Sequence, residues 1–117
     1  MATEAEIGAF LRDFKFKLNF RDRIAFLSRS KNFNTIKDLE LSVLGVKEEL
    51  KKIEVVDYCQ GPLEEVVFEG MPMWVFGRTI KIREVYIKIT MGKKDEDPIC
   101  ISFHFSEFPM TYPFKGK

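Results

Sequence analysis

Side chains able to bind metal or cross-link are scarce in this 117-residue chain: one histidine, His104, and two cysteines, Cys59 and Cys100. A single histidine cannot form a multi-histidine metal site. Two cysteines so far apart make neither a disulfide framework nor a short-spaced ligand cluster. No metal and no cofactor are expected, and the thiols suit a reduced, cytoplasmic setting. No apolar run approaches the roughly 20 residues that a membrane-crossing helix needs, so no membrane partner is expected. Met1-Ala2-Thr3-Glu4 also lacks the basic and then apolar stretches of a secretory leader. Net charge is nearly absent too, at +1, which excludes a uniformly basic or acidic protein.

What is present is a globular composition, 45% hydrophobic and 32% charged. The length fits one domain over residues 1–117 and suffices to bury a core. Phenylalanine dominates the aromatics, with 12 Phe against 3 Tyr and 1 Trp. The small net charge conceals segregation: residues 1–37 sum to +4, 38–69 to −6, 72–94 to +5 and 95–117 to −2. A basic face for a polyanion can coexist with an acidic face at near-neutral pI, although ordinary solvated faces give the same sums.

Thr3 and Glu6 have capping-box spacing, and Ile7, Phe10, Leu11, Phe14 and Leu18 form one apolar stripe behind them. A helix is predicted over 4–18. Phe20 to Ser28 reads as a short strand, with helix as the alternative. Asn34-Thr35 opens a helix over Ile36–Leu44, Gly45 ends it, and another runs through Lys47–Lys52. Asp57 to Pro62 reads as a turn and residues 63–72 as a loop. Strand patterns follow at Trp74–Phe76, Val85–Thr90 and Ile99–Phe105, a meander over about 73–106 with Gly92–Pro98 as a hairpin connection. This order predicts an α+β domain, with helices packed on one face of a small, mostly antiparallel sheet.

Alternation sorts the strand residues. If Val85, Ile87 and Ile89 meet Ile99, Ile101, Phe103 and Phe105 in the core, then Tyr86, Lys88 and Thr90 share the opposite face with Cys100, Ser102 and His104. A hairpin about the Gly92–Pro98 loop sets Tyr86 opposite His104 and Lys88 opposite Ser102. Phenol, ammonium and imidazole then emerge from one patch. That trio suits cleavage of RNA by its own 2′-hydroxyl: the imidazole moves a proton near neutrality, the ammonium clamps phosphate oxygens, and the phenol donates a hydrogen bond or stacks on a base. His104, Tyr86 and Lys88 are the catalytic candidates. Arg78, Lys81 and Arg83 are candidate phosphate contacts whose face the pattern does not fix.

Each residue also has a plain structural reading. His104 could be a surface residue or one held beneath a helix. Tyr86 is common in strands, and Lys88 fits an edge-guarding charge. Arg78, Lys81 and Arg83 fit turn charges, Gln60 a loop residue, and the two cysteines packing residues. The aromatic run Phe108 to Phe114 fits a strap over the sheet. A cysteine hydrolase built on Cys100 and His104, on one face of the same strand at ~13 Å along it, is a further enzymatic alternative.

Several strings carry a family resemblance: Lys31-Asn32, Val56-Asp57-Tyr58 with Gly61-Pro62, Met73-Trp74-Val75-Phe76-Gly77, Glu84-Val85-Tyr86-Ile87-Lys88, and Cys100-Ile101-Ser102-Phe103-His104 with Glu107, Pro109 and Tyr112-Pro113-Phe114. Over about residues 20–114 the chain resembles the MqsR-type toxins of bacterial type II toxin–antitoxin systems, within the wider RelE-like group of mRNA interferases. The resemblance implies a small α+β fold with helices against a curved antiparallel sheet. It also implies endoribonuclease activity on mRNA, on or off the ribosome, and inhibition by a cognate antitoxin protein. By position Tyr86 matches the family's active-site tyrosine. His104 stands where better-studied members carry a catalytic lysine, Gln60 where they carry another lysine, and Val75 where they carry a glutamine. Gln60 is thereby a substrate-binding candidate. Those three departures also support a second reading, a catalytically inactive toxin-fold module that binds RNA or protein.

Overall fold

The computed structural model describes residues 1–64 and 71–116. The elements run α1 (Glu4–Arg21), β1 (Ala25–Phe26), α2 (Ser30–Asp38), α3 (Val43–Lys51), a 3-10 turn (Val55–Asp57), β2 (Tyr58–Leu63), β3 (Met73–Ile80), β4 (Arg83–Thr90) and β5 (Ile99–Phe105). The strands form one sheet in the order β1-β5-β4-β3-β2. All neighbours are antiparallel except β1, which runs parallel to β5. The fold is α+β with helices packed on the sheet, as the element order predicts. No helix among the described residues is long and apolar enough to cross a membrane.

The capping box starts α1. Thr3 Oγ1 accepts the Glu6 N–H at 3.2 Å, and the Glu6 carboxylate accepts the Thr3 N–H at 2.9 Å. Ile7, Phe10, Leu11, Phe14 and Leu18 are the buried stripe. The Phe10 ring stacks on Trp74 with centroids 4.7 Å apart, and Tyr58 meets Trp74 and Phe76 edge-on. This aromatic cluster sits between the helices and one face of β2, β3 and β4. Each side chain fully removed from water there contributes roughly 1.5–3 kcal/mol. The helix runs to Arg21 because Asp22 adopts a left-handed conformation (φ 52°) and its N–H bonds the Leu18 carbonyl. The buried Lys47 of α3 donates to the Asp22 carboxylate at 2.9 Å, and Arg21 pairs with Asp97 at 2.7 Å.

Several local expectations change. The strand expected at 20–28 shrinks to β1, because α1 consumes its first residues. The helix expected at 36–44 begins instead at Ser30 and stops at Asp38. Gly45 does not end a helix. It lies in the first turn of α3, where its N–H is capped by Ser42 Oγ at 3.0 Å. The turn expected at 57–62 is strand β2, whose Tyr58, Gln60 and Leu63 pair with β3 through two register shifts. Much of the loop expected at 63–72 lies outside the described residues.

β1 covers only Ile99 and Cys100 of β5. Beyond them, side chains of α2 take the place of a neighbouring strand. Asn32, fully buried, donates from Nδ2 to the Ile101 carbonyl at 3.0 Å and accepts the Phe103 N–H at 2.9 Å. Thr35 Oγ1 accepts the Phe105 N–H at 3.2 Å. These three groups of the β5 edge are thus satisfied without another backbone, which blunts the edge as a site for strand addition. It also fixes the strand that carries His104.

Candidate functional site

The sheet face away from α1 and α3 carries two cross-strand rows. Gly77, Tyr86 and His104 form one; Gln60, Val75, Lys88 and Ser102 form the next. The pairs Tyr86–His104 and Lys88–Ser102 match the register read from the hydrophobic alternation. β4 is the central strand, so Lys88 does not guard an edge. The Tyr86 and His104 rings stack with centroids 5.1 Å apart and planes at 13°, and Lys88 Nζ stands 5.9 Å from the Tyr86 centroid.

His104 Nδ1 lies 3.0 Å from the Phe105 carbonyl oxygen. A carbonyl only accepts, so this bond places the proton on Nδ1 and leaves Nε2 of the neutral ring as a bare acceptor. Partial burial pushes the Tyr86 phenol above its ordinary value, Cys59 adds to this, and Arg29 opposes it. Tyr86 is therefore a neutral donor at pH 7.

A bulge between Lys88 and Ile89 alters the far half of β5. It pairs Cys100 with Ile89, on the core side, and Ile99 with Thr90. Cys100 is fully buried, its thiol pushed up to about 12 by desolvation, and its Sγ donates to the Ser102 carbonyl at 3.5 Å. It does not stand beside His104, so the cysteine-hydrolase alternative loses its nucleophile. Cys59 lies by the rows, but burial, then Glu84 and Asp57, push its thiol to about 12 as well.

The segment after β5 crosses this face as the strap expected from the aromatic tail. The Glu84 carboxylate holds both ends, accepting from Ser106 Oγ at 2.9 Å and from the Tyr112 hydroxyl at 2.7 Å. Between them the Tyr112 hydroxyl and Met110 sulfur lie where a Cβ on residue 77 would stand, so Gly77 lets the strap seat. Sheet and strap enclose a cleft of about 510 Å³. On its rim Lys31 and Glu107 form a 2.7 Å ion pair, and the Lys31 hydrogen bond holds the Glu107 carboxyl below its usual range.

Tyr86, Lys88, His104 and Gln60 all line this cleft. The chain matches no family model, no curated protein and no solved structure. Arg78, Lys81 and Arg83 are not brought to the cleft. Arg78 has the parity of Trp74 and Phe76, and its guanidinium pairs with Asp57 at 3.1 Å on the helix side. Lys81 Nζ donates to the Leu39 carbonyl, and the Arg83 guanidinium lies 3.5 Å above the Phe105 ring. The basic run of residues 72–94 is thus split between two faces, and only Lys88 of the cations named there reaches the site. The cation that pattern reading missed is Arg29, delivered to the cleft by the connection between β1 and α2. Nothing local to Arg29 signals this, since α2 must first dock on β5. Of the two carboxylates near the cleft, Glu84 is engaged by hydroxyls and Glu107 by Lys31. Among the described residues lining the cleft, Lys88 and Arg29 are the cations left to meet an anion, with the acceptor Nε2 of His104 in the same cleft.

Proposed function

We propose that this protein is an endoribonuclease of the mRNA interferase kind, of the MqsR-type, RelE-like group. In this reading it acts in the cytoplasm and is held in check by a cognate antitoxin protein. The observation that carries the reading is the His104–Tyr86 stack beside Lys88 in one open cleft, with Nε2 free to accept a proton. The ribose 2′-hydroxyl attacks the adjacent phosphorus while its proton passes to His104 Nε2. The bond from phosphorus to the 5′ oxygen breaks, leaving a 2′,3′-cyclic phosphate. The departing oxygen takes the Tyr86 hydroxyl proton, and water relays the proton held on His104 Nε2 back to the tyrosinate, which resets both groups. The Lys88 ammonium, with Arg29 at the rim, faces the charge that builds on the phosphoryl oxygens. Gln60 stands on the outer strand of the second row, where its amide suits a base edge and not the reacting phosphate.

The test is cleavage of a single-stranded oligoribonucleotide by purified protein, with mass analysis of the ends. A 2′,3′-cyclic phosphate product is expected. His104→Ala should lower the rate about 10²–10⁴-fold, and 2′-deoxy substitution at the cut position should abolish it. Undiminished cleavage by His104→Ala refutes the mechanism. The second reading, an RNA-binding module without catalysis, is favoured by the apolar, buried Val75 in the middle of its row. Salt-dependent RNA association with no product would establish it.

A further inference from the structure

The strap presents one exposed aromatic side chain at the cleft. Phe108 lines the cleft together with His104 and Lys88, yet it is 78% exposed. Its neighbours on both sides are fixed. Ser106 is held to Glu84 by side chain and, through its N–H, by the Glu84 carbonyl at 2.9 Å. Glu107 is paired with Lys31, Pro109 restricts the backbone, and Met110 is seated over Gly77. A free phenyl ring on a pinned backbone differs from the exposed Phe16 and Phe20, which stack on each other along α1 at 6.2 Å. Tyr86 cannot supply the same surface on its His104 side, because the imidazole already covers that face of its ring.

We propose that Phe108 is the stacking platform for a nucleobase flanking the cleaved phosphodiester, so that the cleft takes single-stranded RNA and not a duplex. This rests on the ribonuclease reading above. A π-face accepts every base, so Phe108 contributes affinity without sequence selection, and a paired base has no free face to offer. Its ring is uncharged, so its contribution does not depend on salt in the way that of Lys88 does.

The probe is a pool of short, random-sequence, 2′-O-methyl single strands, which bind without being cut, followed by fluorescence anisotropy. Phe108→Ala should weaken binding about 5- to 100-fold, with the slope of log Kd against log salt unchanged. Phe108→Trp should restore binding, and Lys88→Ala should flatten the slope. The same strands annealed to their complement should bind no better than Phe108→Ala binds the single strands. On cleavable RNA, Phe108→Ala should raise KM and leave kcat within about threefold of wild type. Wild-type protein that neither binds nor cuts RNA overturns the ribonuclease reading itself. Wild-type protein that binds single strands no more tightly than Phe108→Ala, or duplex as tightly as single strands, overturns the platform alone.

Discussion

Asn32 offers a direct test of how the site-bearing strand is held. The residue is fully buried, and its amide completes two backbone groups of β5: the Ile101 carbonyl at 3.0 Å and the Phe103 N–H at 2.9 Å. Asn32→Ala leaves both groups in a dry interface with no partner. Each orphaned group costs about 1–3 kcal/mol, so the loss should be about 2–6 kcal/mol, a large part of the 5–15 kcal/mol typical of a domain. In urea, at a mid-range slope of about 2 kcal/mol per molar, the midpoint should fall by about 1–3 M without a change in slope. Asn32→Asp adds a signed control. One oxygen can still accept from Phe103, but the other confronts the carbonyls of Ile101 and Leu27, which now receive the Nδ2 hydrogens. Only the protonated acid can donate there. Its folded pKa must then lie above the unfolded value of about 3.9. The stability it gains from protonation is fully present below that unfolded value and lost as pH rises through the folded one. Asn32→Asp should therefore be nearer to wild type in acid than at neutrality. A cost below about 1 kcal/mol for Asn32→Ala, or an Asn32→Asp deficit independent of pH, would refute the account of the edge.

Two other substitutions probe the strap and the hairpin. Gly77→Ala places a methyl against the Tyr112 hydroxyl and Met110 sulfur. It should cost about 1–3 kcal/mol by thermal unfolding, and a wild-type melting curve would mean that the strap does not pack there. The tight connection between β3 and β4 uses Lys81 and Ile82 at φ 49° and 66°, and Ile82 is 95% exposed. Ile82→Gly removes left-handed strain worth about 1–2 kcal/mol and little packing. It should stabilise the protein by about 1 kcal/mol in urea once the added chain entropy is counted; a destabilised variant would contradict the strain.

The legibility of the fold followed the strength of the local signal. α1 carried a cap, a stripe and three turns of consistent periodicity, and only its last turn went unread because Asp22 in a left-handed C-cap stood in for glycine. The β3–β4 turn lacked any Asn-Gly or Asp-Gly mark, which left the register of residues 73–83 open. That register decides the faces of Arg78, Lys81 and Arg83. The bulge that turned Cys100 inward also left no mark, since Ile99-Cys100-Ile101-Ser102 fits either phase.

Strand polarity, the alternation in β4 and the near half of β5, and the Tyr86–His104 and Lys88–Ser102 pairs were fixed by the order of residues alone. Period-two burial settles which face each residue takes, and centring the hairpin on the Gly92–Pro98 loop selects the register. The cleft itself was not. It required α2 to dock on β5 and bring Arg29 across, and Glu84 to clamp two hydroxyls from a distant segment. It also required two faces of the sheet to divide cations that lie side by side in the chain. Those are contacts between residues far apart in sequence, and only closure of the whole fold selects them.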